Sequence, residues 1–495
     1  MKKLLIFPTL ILFYLMGFSQ NHISFVKLIG TDNANGRHYI NGVDANSNYL
    51  YNSGNYAGFS NFEDTAMTNL YFTSSSYDEG FIARYDKNTG NLDTVVFLRS
   101  NLQHVSISNI AVHPITGEIV VNFSCNNQDV TFGSNTFTAN NEQNLLLLDS
   151  NLNYINHKVV DRNFSGWGAG SESVIKWVNN NIYFNYYSYN DVHCDIYDNN
   201  LSLLNEYEFM TGGSNIWLGG LEIDDDLNVY VSFQAYGQVD PFPDPNTYSP
   251  RYGNGGNIQQ SIISFDNSGN LRWKYFVYEV GNGGAFGMDM TLSGNSIFLD
   301  LGQWGSAGMN INPNDSLNPV MIYDNNVRVF AKIDIDNGYL QEYIPYNTTV
   351  FENGRLRPQK TLAKDDKVFL LAIIDNNDVY LDKAQTVLVS ETYNSLLIEY
   401  DTSLNYINHR VLQITEPNNH KYNLALSSEG DPVLTYFSND LGNPVFAFID
   451  TLGTTSTYFP NYSTQGRASV IVYFDEKYGC TDPTACNYNP LANID

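Results

Sequence analysis

Ile262-Ile263-Ser264-Phe265-Asp266-Asn267-Ser268-Gly269-Asn270-Leu271-Arg272-Trp273 carries the pattern on which the whole chain is built: a short apolar run, one Asp, a polar turn, and a return to apolar residues. The pattern recurs at Asp86, Asp149, Asp198, Asp334, Asp401 and Asp450, so seven aspartates stand 49 to 68 residues apart. Recurrence at such a period marks a repeat architecture, in which one small sheet cannot bury both faces and neighbours must stack on it. Duplication accounts for the copies, since Leu152-Asn153-Tyr154-Ile155-Asn156-His157 returns as Leu404-Asn405-Tyr406-Ile407-Asn408-His409.

A second turn signal precedes each Asp turn. β-rich runs broken by Asn, Asp or Gly occupy residues 43–49, 112–118, 177–182, 223–229, 290–297, 362–368 and 426–433. These residue types tolerate the backbone of tight hairpins, so two signals per repeat imply four strands per repeat. Seven such units predict an all-β chain, a seven-bladed β-propeller with four-stranded blades over residues 22–474. An open ring would leave an exposed edge, and apolar runs at 23–29 and 469–474 flank the repeats, so the N-terminal run is expected to pair into the last blade. The composition agrees, with 36 Tyr, 29 Phe and only 16% charged residues on what must be half-buried pleats.

Lys2 and Lys3 precede an apolar run over residues 4–18, and Gly17-Phe18-Ser19 places small residues at both recognition positions of a signal peptidase, so residues 1–19 read as a signal peptide. The run of about 15 residues is short of the roughly 20 that span a bilayer, and no later segment could span one. A secreted or cell-surface product is the expectation. Loss of a leader bearing Lys2 and Lys3 and no acid takes the formal charge from −27 to −29. Such a charge repels nucleic acid, and it attracts divalent cations without needing a specific site.

Cys125 and Cys194 fall in neighbouring repeats, where they could pair in an oxidising compartment or serve as small buried apolar residues. Cys480 and Cys486 lie in 479–495, which has no strand pattern. That stretch reads Gly479-Cys480-Thr481-Asp482-Pro483-Thr484-Ala485-Cys486-Asn487-Tyr488-Asn489-Pro490-Leu491-Ala492. It resembles a short cysteine-bearing repeat of secreted proteins of the Bacteroidetes, in which Gly-Cys-Thr-Asp-Pro-x-Ala-x-Asn-Tyr-Asn-Pro-x-Ala is followed by acidic residues and Gly-Ser-Cys. The chain ends at Asp495 before that second cysteine, so truncation is expected. The resemblance implies export through type IX secretion machinery and a cell-surface role.

The body is similar to secreted bacterial propellers with an Asp-x-x-Gly-x-Leu turn, as in Asp266 to Leu271 and, one residue longer, Asp86 to Leu92. That motif is structural and implies no activity. Quinoprotein-like dehydrogenases carry a Trp beside this turn in most blades. Here Trp273 alone occupies that place, which argues against a quinone cofactor.

Chemistry-bearing motifs are scarce. The chain has no His-Glu-x-x-His, no Gly-x-Ser-x-Gly and no phosphate-binding glycine loop. His157 and His409 are equivalent positions of different repeats, so they read as strand residues rather than a catalytic pair. The recurring aspartates read as turn locks that accept backbone N–H groups. Calcium is the metal alternative, at Asp44-x-Asn46-x-Asn48 or Asp224-Asp225-Asp226, but neither carries the Gly and distal Glu of an EF-hand loop. No cofactor is called for.

Departures from the repeat are where recognition should lie. The largest runs from Tyr236 through Asp240, Phe242, Asp244, Tyr248, Arg251 and Tyr252, and the next repeat adds Trp304. Aromatic rings beside Asp and Arg suit a sugar ring or a docked peptide. Two function classes follow. One is a noncatalytic binding or adhesion propeller for extracellular glycan or protein. The other is a secreted polysaccharide hydrolase or lyase using paired carboxylates at the central funnel. Converging carboxylates with an aromatic platform would favour the enzyme, and a polar funnel the binder.

Overall fold

The computed structural model describes residues 23–30, 37–62, 71–73, 77–125, 128–139, 143–160, 173–188, 191–210, 216–236, 258–277, 284–286, 289–304, 309–322, 328–346, 355–375, 378–390, 394–413, 422–438, 446–449, 455–458 and 468–474. They form a seven-bladed propeller of four-stranded antiparallel blades. Blade 1 is Arg37–Ala45, Tyr49–Ala57, Glu79–Asp86 and Leu92–Arg99. Blade 2 is Val105–Val112, Ile119–Cys125, Asn144–Leu148 and Tyr154–Val159. Blade 3 is Ser173–Val178, Asn181–Ser188, Asp191–Asp198 and Leu203–Met210. Blade 4 is Ile216–Ile223, Val229–Tyr236, Ile258–Phe265 and Leu271–Val277. Blade 5 is Met290–Ser293, Ser296–Trp304, Arg328–Asp334 and Leu340–Tyr346, and blade 6 is Arg355–Lys364, Lys367–Asp375, Asn394–Asp401 and Tyr406–Gln413. Blade 7 takes Tyr422–Leu426, Pro432–Ser438 and Ala468–Phe474 from the C-terminal part of the chain and its outer strand, Ile23–Gly30, from the N-terminal part.

The expected join is present: Val26 faces Val472 and Ile29 faces Ser469 in an antiparallel ladder. The seven early turn signals are all first-to-second-strand hairpins, and Asp86, Asp149, Asp198, Asp266, Asp334 and Asp401 all begin third-to-outer-strand turns. The reading of Asp450 as the seventh copy is corrected. The strand before it, Phe446–Ile449, pairs with Thr455–Tyr458 and with the outer strand of blade 6, through Val411 opposite Ile449. Blade 7's third strand ends instead at Phe474, and the Asp that follows it, Asp475, lies outside the described residues. An accessory hairpin obeys the same strand and turn preferences as a blade hairpin, so the local pattern alone does not separate them.

The six turns share one construction. In each, a register shift sits just before the Asp, between residues such as Ser264 and Phe265 or Glu399 and Tyr400. The carboxylate then caps the turn. Asp401 Oδ1 accepts from the N–H groups of Ser403 and Asn405, both at 2.8 Å, and its Oδ2 accepts from Asn405 Nδ2 at 2.8 Å. Hydrogen bonds to the ionised form hold Asp86, Asp149, Asp198, Asp266 and Asp401 below the usual carboxylate range, against whatever desolvation opposes them.

The turns then need a left-handed residue. Three use glycine, at Gly90, Gly269 and Gly338, but three use leucine, at Leu152 (φ 64°), Leu201 (φ 63°) and Leu404 (φ 54°). All three leucines are buried, at 2%, 3% and 1% exposure. A left-handed non-glycine residue costs about 1–2 kcal/mol, and burying a leucine returns about 1.5–3 kcal/mol. Burial wins, so these turns are plugs as well as corners.

Packing is organised by seam rather than by blade. Seven apolar clusters each join two successive blades, from Tyr51, Ile82, Val121 and Leu146 between blades 1 and 2 to Ile29, Leu50, Phe81 and Tyr473 between blades 7 and 1. The innermost strands follow one another round the axis until Tyr422–Leu426 meets Arg37–Ala45.

Among the described residues most elaborations fall in one connection, that between second and third strands; Gly284–Phe286, ahead of blade 5, is the exception and pairs with Ser296–Trp304. In blades 1, 2 and 7 the second-to-third-strand connection folds into a hairpin that pairs with the outer strand of the preceding blade, through Asn61 to Gly30, Thr131 to Arg99 and Ile449 to Val411. Those in blades 5 and 6 also reach back, where Tyr275 of blade 4 donates its hydroxyl to Ile311 O and Lys383 pairs with Glu342 of blade 5. In blade 3 only residues 189 and 190 separate the two strands.

The leucine plug makes a checkable reversal. Leu404→Ala keeps the left-handed strain and loses the packing, for a loss of about 3 kcal/mol. Leu404→Gly loses the packing but relieves the strain, for a loss of about 1–2 kcal/mol. Chemical denaturation should therefore rank glycine above alanine at this position, the opposite of the order in a strand.

Candidate functional site

The innermost strands of all seven blades surround a central cavity of about 250 Å³. Its wall includes Asn41, Asn109, Lys176, Glu222, Asp289, Lys360 and Asn423. Each residue type has a task set by geometry. Innermost strands of adjacent blades splay apart and cannot pair along their length, so backbone groups there need side-chain partners. Asn41 Nδ2 donates to Ile107 O of blade 2 at 2.7 Å, Asn109 Nδ2 to Ser173 O of blade 3 at 2.9 Å, and Asn423 Nδ2 to Ile40 O of blade 1 at 3.2 Å. Between blades 4 and 5 the contact is steric. A Cβ on Gly220 would stand 2.6 Å from Met290 Cγ, so only glycine admits that approach.

Charge is paired across blade boundaries as well. Lys176 Nζ of blade 3 donates to Glu222 Oε2 of blade 4 at 2.6 Å, and Lys360 Nζ of blade 6 to Asp289 Oδ1, ahead of blade 5, at 3.2 Å. The Thr361 N–H also donates to Asp289. Burial pushes the Glu222 carboxyl up, with Lys176 opposing. Asp44 stands half-buried beside this wall, accepting from Ala45 N at 2.8 Å and Val112 N at 2.7 Å, and desolvation lifts it to about 6. Asp300 pairs with Arg328 at 3.2 Å, and burial raises it to about 7.

Glu222 and Asp289 thus each face a lysine, and among the described wall residues there is no aromatic side chain. Such a wall can present fixed donors and acceptors to a ligand. Its two carboxylates, Glu222 and Asp289, are each held in an ion pair that crosses a blade boundary.

Of the sequence candidates, two lie on described strands. Tyr236 ends the second strand of blade 4, opposite Ile258, and Trp304 ends that of blade 5, opposite Gly284. Asp240, Phe242, Asp244, Tyr248, Arg251 and Tyr252 lie outside the described residues. Neither calcium candidate is spare: Asp44 caps two backbone groups, and Asp224 accepts from Asn228 N, Asn228 Nδ2 and Tyr230 Oη, each at 2.8 Å. A different donor set, which sequence reading missed, is His193, Glu206 and Glu208 on the outer two strands of blade 3. One ligand atom from each lies within 4.8 Å of the others. His193 opposes Glu208 across the ladder, a register that no local motif encodes.

His157 and His409 act locally, each within hydrogen-bond distance of a tyrosine three residues earlier, Tyr154 and Tyr406. Cys125 and Cys194 are buried thiols of blades 2 and 3. Among the described residues no helix is long and apolar enough to cross a membrane.

Neither a family model nor a curated protein matches the chain. Among solved structures, a prolyl endopeptidase is similar at 10% identity and TM-score 0.36, over 78% of this chain and 48% of its own, so the chain spans about half that length. A lignostilbene dioxygenase of Pseudomonas brassicacearum is similar at 12% identity and TM-score 0.35, over 91% and 92% of the two chains. An apocarotenoid oxygenase of Synechocystis is similar at 10% identity and TM-score 0.36, over 91% and 96%. None of these likenesses carries an activity to this chain.

Two outcomes follow from the wall charges. Lys176→Met leaves Glu222 without its cation and should cost about 1–3 kcal/mol, less than for a wholly buried pair because the lysine is a third exposed. Adding Glu222→Leu should restore most of that loss in thermal denaturation.

The pH profile follows from opposed shifts. Asp44 and Asp300, lifted from 3.8 to about 6 and 7, lower stability as pH rises through those windows, because the native state holds the proton longer. His38 and His409, depressed from 6.5 to about 3 and 4, lower stability as pH falls below 6.5, because only the unfolded chain takes the proton. These contributions oppose one another between about pH 4 and 6.5. Below that range the capping aspartates are protonated and their contribution goes as well. Stability should be nearly level down to about pH 4 and fall steeply beneath it; a steep loss already at pH 6 would contradict the balance.

Proposed function

We propose that this chain is an exported, noncatalytic binding propeller that recognises glycan or protein at the cell surface. One observation carries the reading: the carboxylates of the central wall are engaged by lysines or backbone N–H groups across blade boundaries. Hydrolysis of a glycosidic bond needs a carboxyl held protonated beside the leaving oxygen and a second carboxylate facing the sugar. A wall whose acids already serve as cross-blade partners is suited to rigidity and to polar recognition.

The placement of the elaborations supports the same reading. Second-to-third-strand connections open on the side opposite the Asp turns, and the 21 residues between Tyr236 and Ile258 are one of them. A scaffold that varies one set of connections on a constant frame of blades is built for recognition by loops. The basic and apolar leader and the Gly-Cys-Thr-Asp-Pro stretch supply the argument for export, through secretion machinery of type IX.

A glycan-array screen run with a polysaccharide-degradation assay on the mature chain tests the proposal. Saturable binding without release of reducing sugar is expected, and release of sugar would overturn it.

A further inference from the structure

We infer that the cleft between blades 4 and 5, on the side of the Asp turns, is a binding subsite for a neutral saccharide, with Tyr339 as its stacking platform. It rests on the binding reading of this chain but not on the central cavity. The cleft, about 600 Å³, lies between the outer strand of blade 4 and the Asp334 turn and 309–322 loop of blade 5. Arg272, Asn310, Asn314, Asp336, Asn337 and Tyr339 are among the residues lining it.

This turn is braced both from blade 4 and from the 309–322 loop. Trp273 Nε1 donates to Ile335 O at 2.6 Å, Asn314 Nδ2 to Asn337 O at 3.1 Å, and the Leu340 N–H to Asn312 Oδ1 at 3.0 Å. Asn337 Oδ1 accepts from the Tyr339 N–H at 2.7 Å. Gly338 takes φ 70° and presses so close that a Cβ would lie 2.9 Å from the Trp273 ring and 2.4 Å from Asn314 Nδ2. The result is a rigid corner carrying Tyr339 with 43% of its surface exposed.

An exposed aromatic ring on a fixed backbone, beside planar amide and carboxylate groups, is what a pyranose needs: its C–H face stacks on the ring and its hydroxyls exchange hydrogen bonds with the rim. Preorganisation lowers the ordering cost that otherwise weakens saccharide binding. Local charge favours neutral over anionic sugars: Arg272 and Lys274 share the cleft with Asp336, and Lys274 Nζ already lies 5.5 Å from the centre of the Phe276 ring. Arg272 lies 3.1 Å from Asp336 and 4.0 Å from Asp224, so its cation is already balanced by carboxylates. The chain's formal charge of −27 further disfavours a polyanion.

Titration calorimetry on the mature chain tests this, with soluble β-glucan, xylan and mannan oligosaccharides as probes and alginate oligosaccharide as the anionic comparison. At least one neutral probe should bind, with an affinity insensitive to salt. Tyr339→Ala should weaken it about tenfold and Tyr339→Phe less than about threefold, both with unchanged melting temperature. Equal affinity of wild type and Tyr339→Ala would place the sugar elsewhere and overturn the subsite while leaving the binding function intact. Preference for alginate would overturn neutral selectivity. Failure of every saccharide would overturn the inference and leave recognition of a protein through the opposite face as the remaining form of the proposed function.

Discussion

Everything in this fold depends on one ladder, the antiparallel pairing of Ile23–Gly30 with Ala468–Phe474. A propeller blade has no self-sufficient core, because each face of its sheet is buried only by a neighbour. Without the N-terminal strand, blade 7 would present a bare edge and the seam to blade 1 would lose Ile29 from its cluster. Contacts around the join reinforce it. Ser469 Oγ accepts from Ile40 N at 3.2 Å and lies 3.3 Å from His38 Nδ1, so the first strand of blade 1 is tied to the strand that the N-terminus closes.

Apolar and polar forces divide the work by radius. Away from the axis the seams are hydrophobic, and burial supplies the stabilisation. At the axis, strands diverge and solvent enters, so adhesion passes to amide-to-carbonyl bonds and lysine–carboxylate pairs. The polar wall is therefore explained first by ring assembly. Whatever ligand the cavity accepts meets groups already fixed by that duty.

Much of the architecture was legible in the chain because it is written in local chemistry. An Asp capping a turn and an Asn or Gly turning a hairpin act within five residues, so blade count, strand count and closure could be read directly. Asp450 misled because an accessory hairpin and a blade hairpin are locally alike, and only the partner strand distinguishes them. The leucines at left-handed positions were equally hidden, since nothing nearby in sequence announces that a turn will be roofed by a neighbouring blade. The cavity wall was out of reach for a related reason. Lys176 meets Glu222 46 residues on, and Lys360 meets Asp289 71 residues back, distances set by blade length and not by any motif. Tyr339 could have been suspected, as an aromatic standing where other Asp turns place Asn or Ser, but its bracing could not.

The backward-reaching hairpins bear on how such a ring can grow. In blades 1, 2 and 7 a segment encoded within one repeat completes the rim of the repeat before it. The unit of inheritance and the unit of architecture are therefore out of phase. A duplicated stretch of gene arrives already carrying the clasp for its upstream neighbour, and the newcomer depends on the next copy to finish its own edge. Lineages built this way gain or lose blades as overlapping shingles, and a repeat with a two-residue connection, as in blade 3, leaves its predecessor's rim to be shaped by other means.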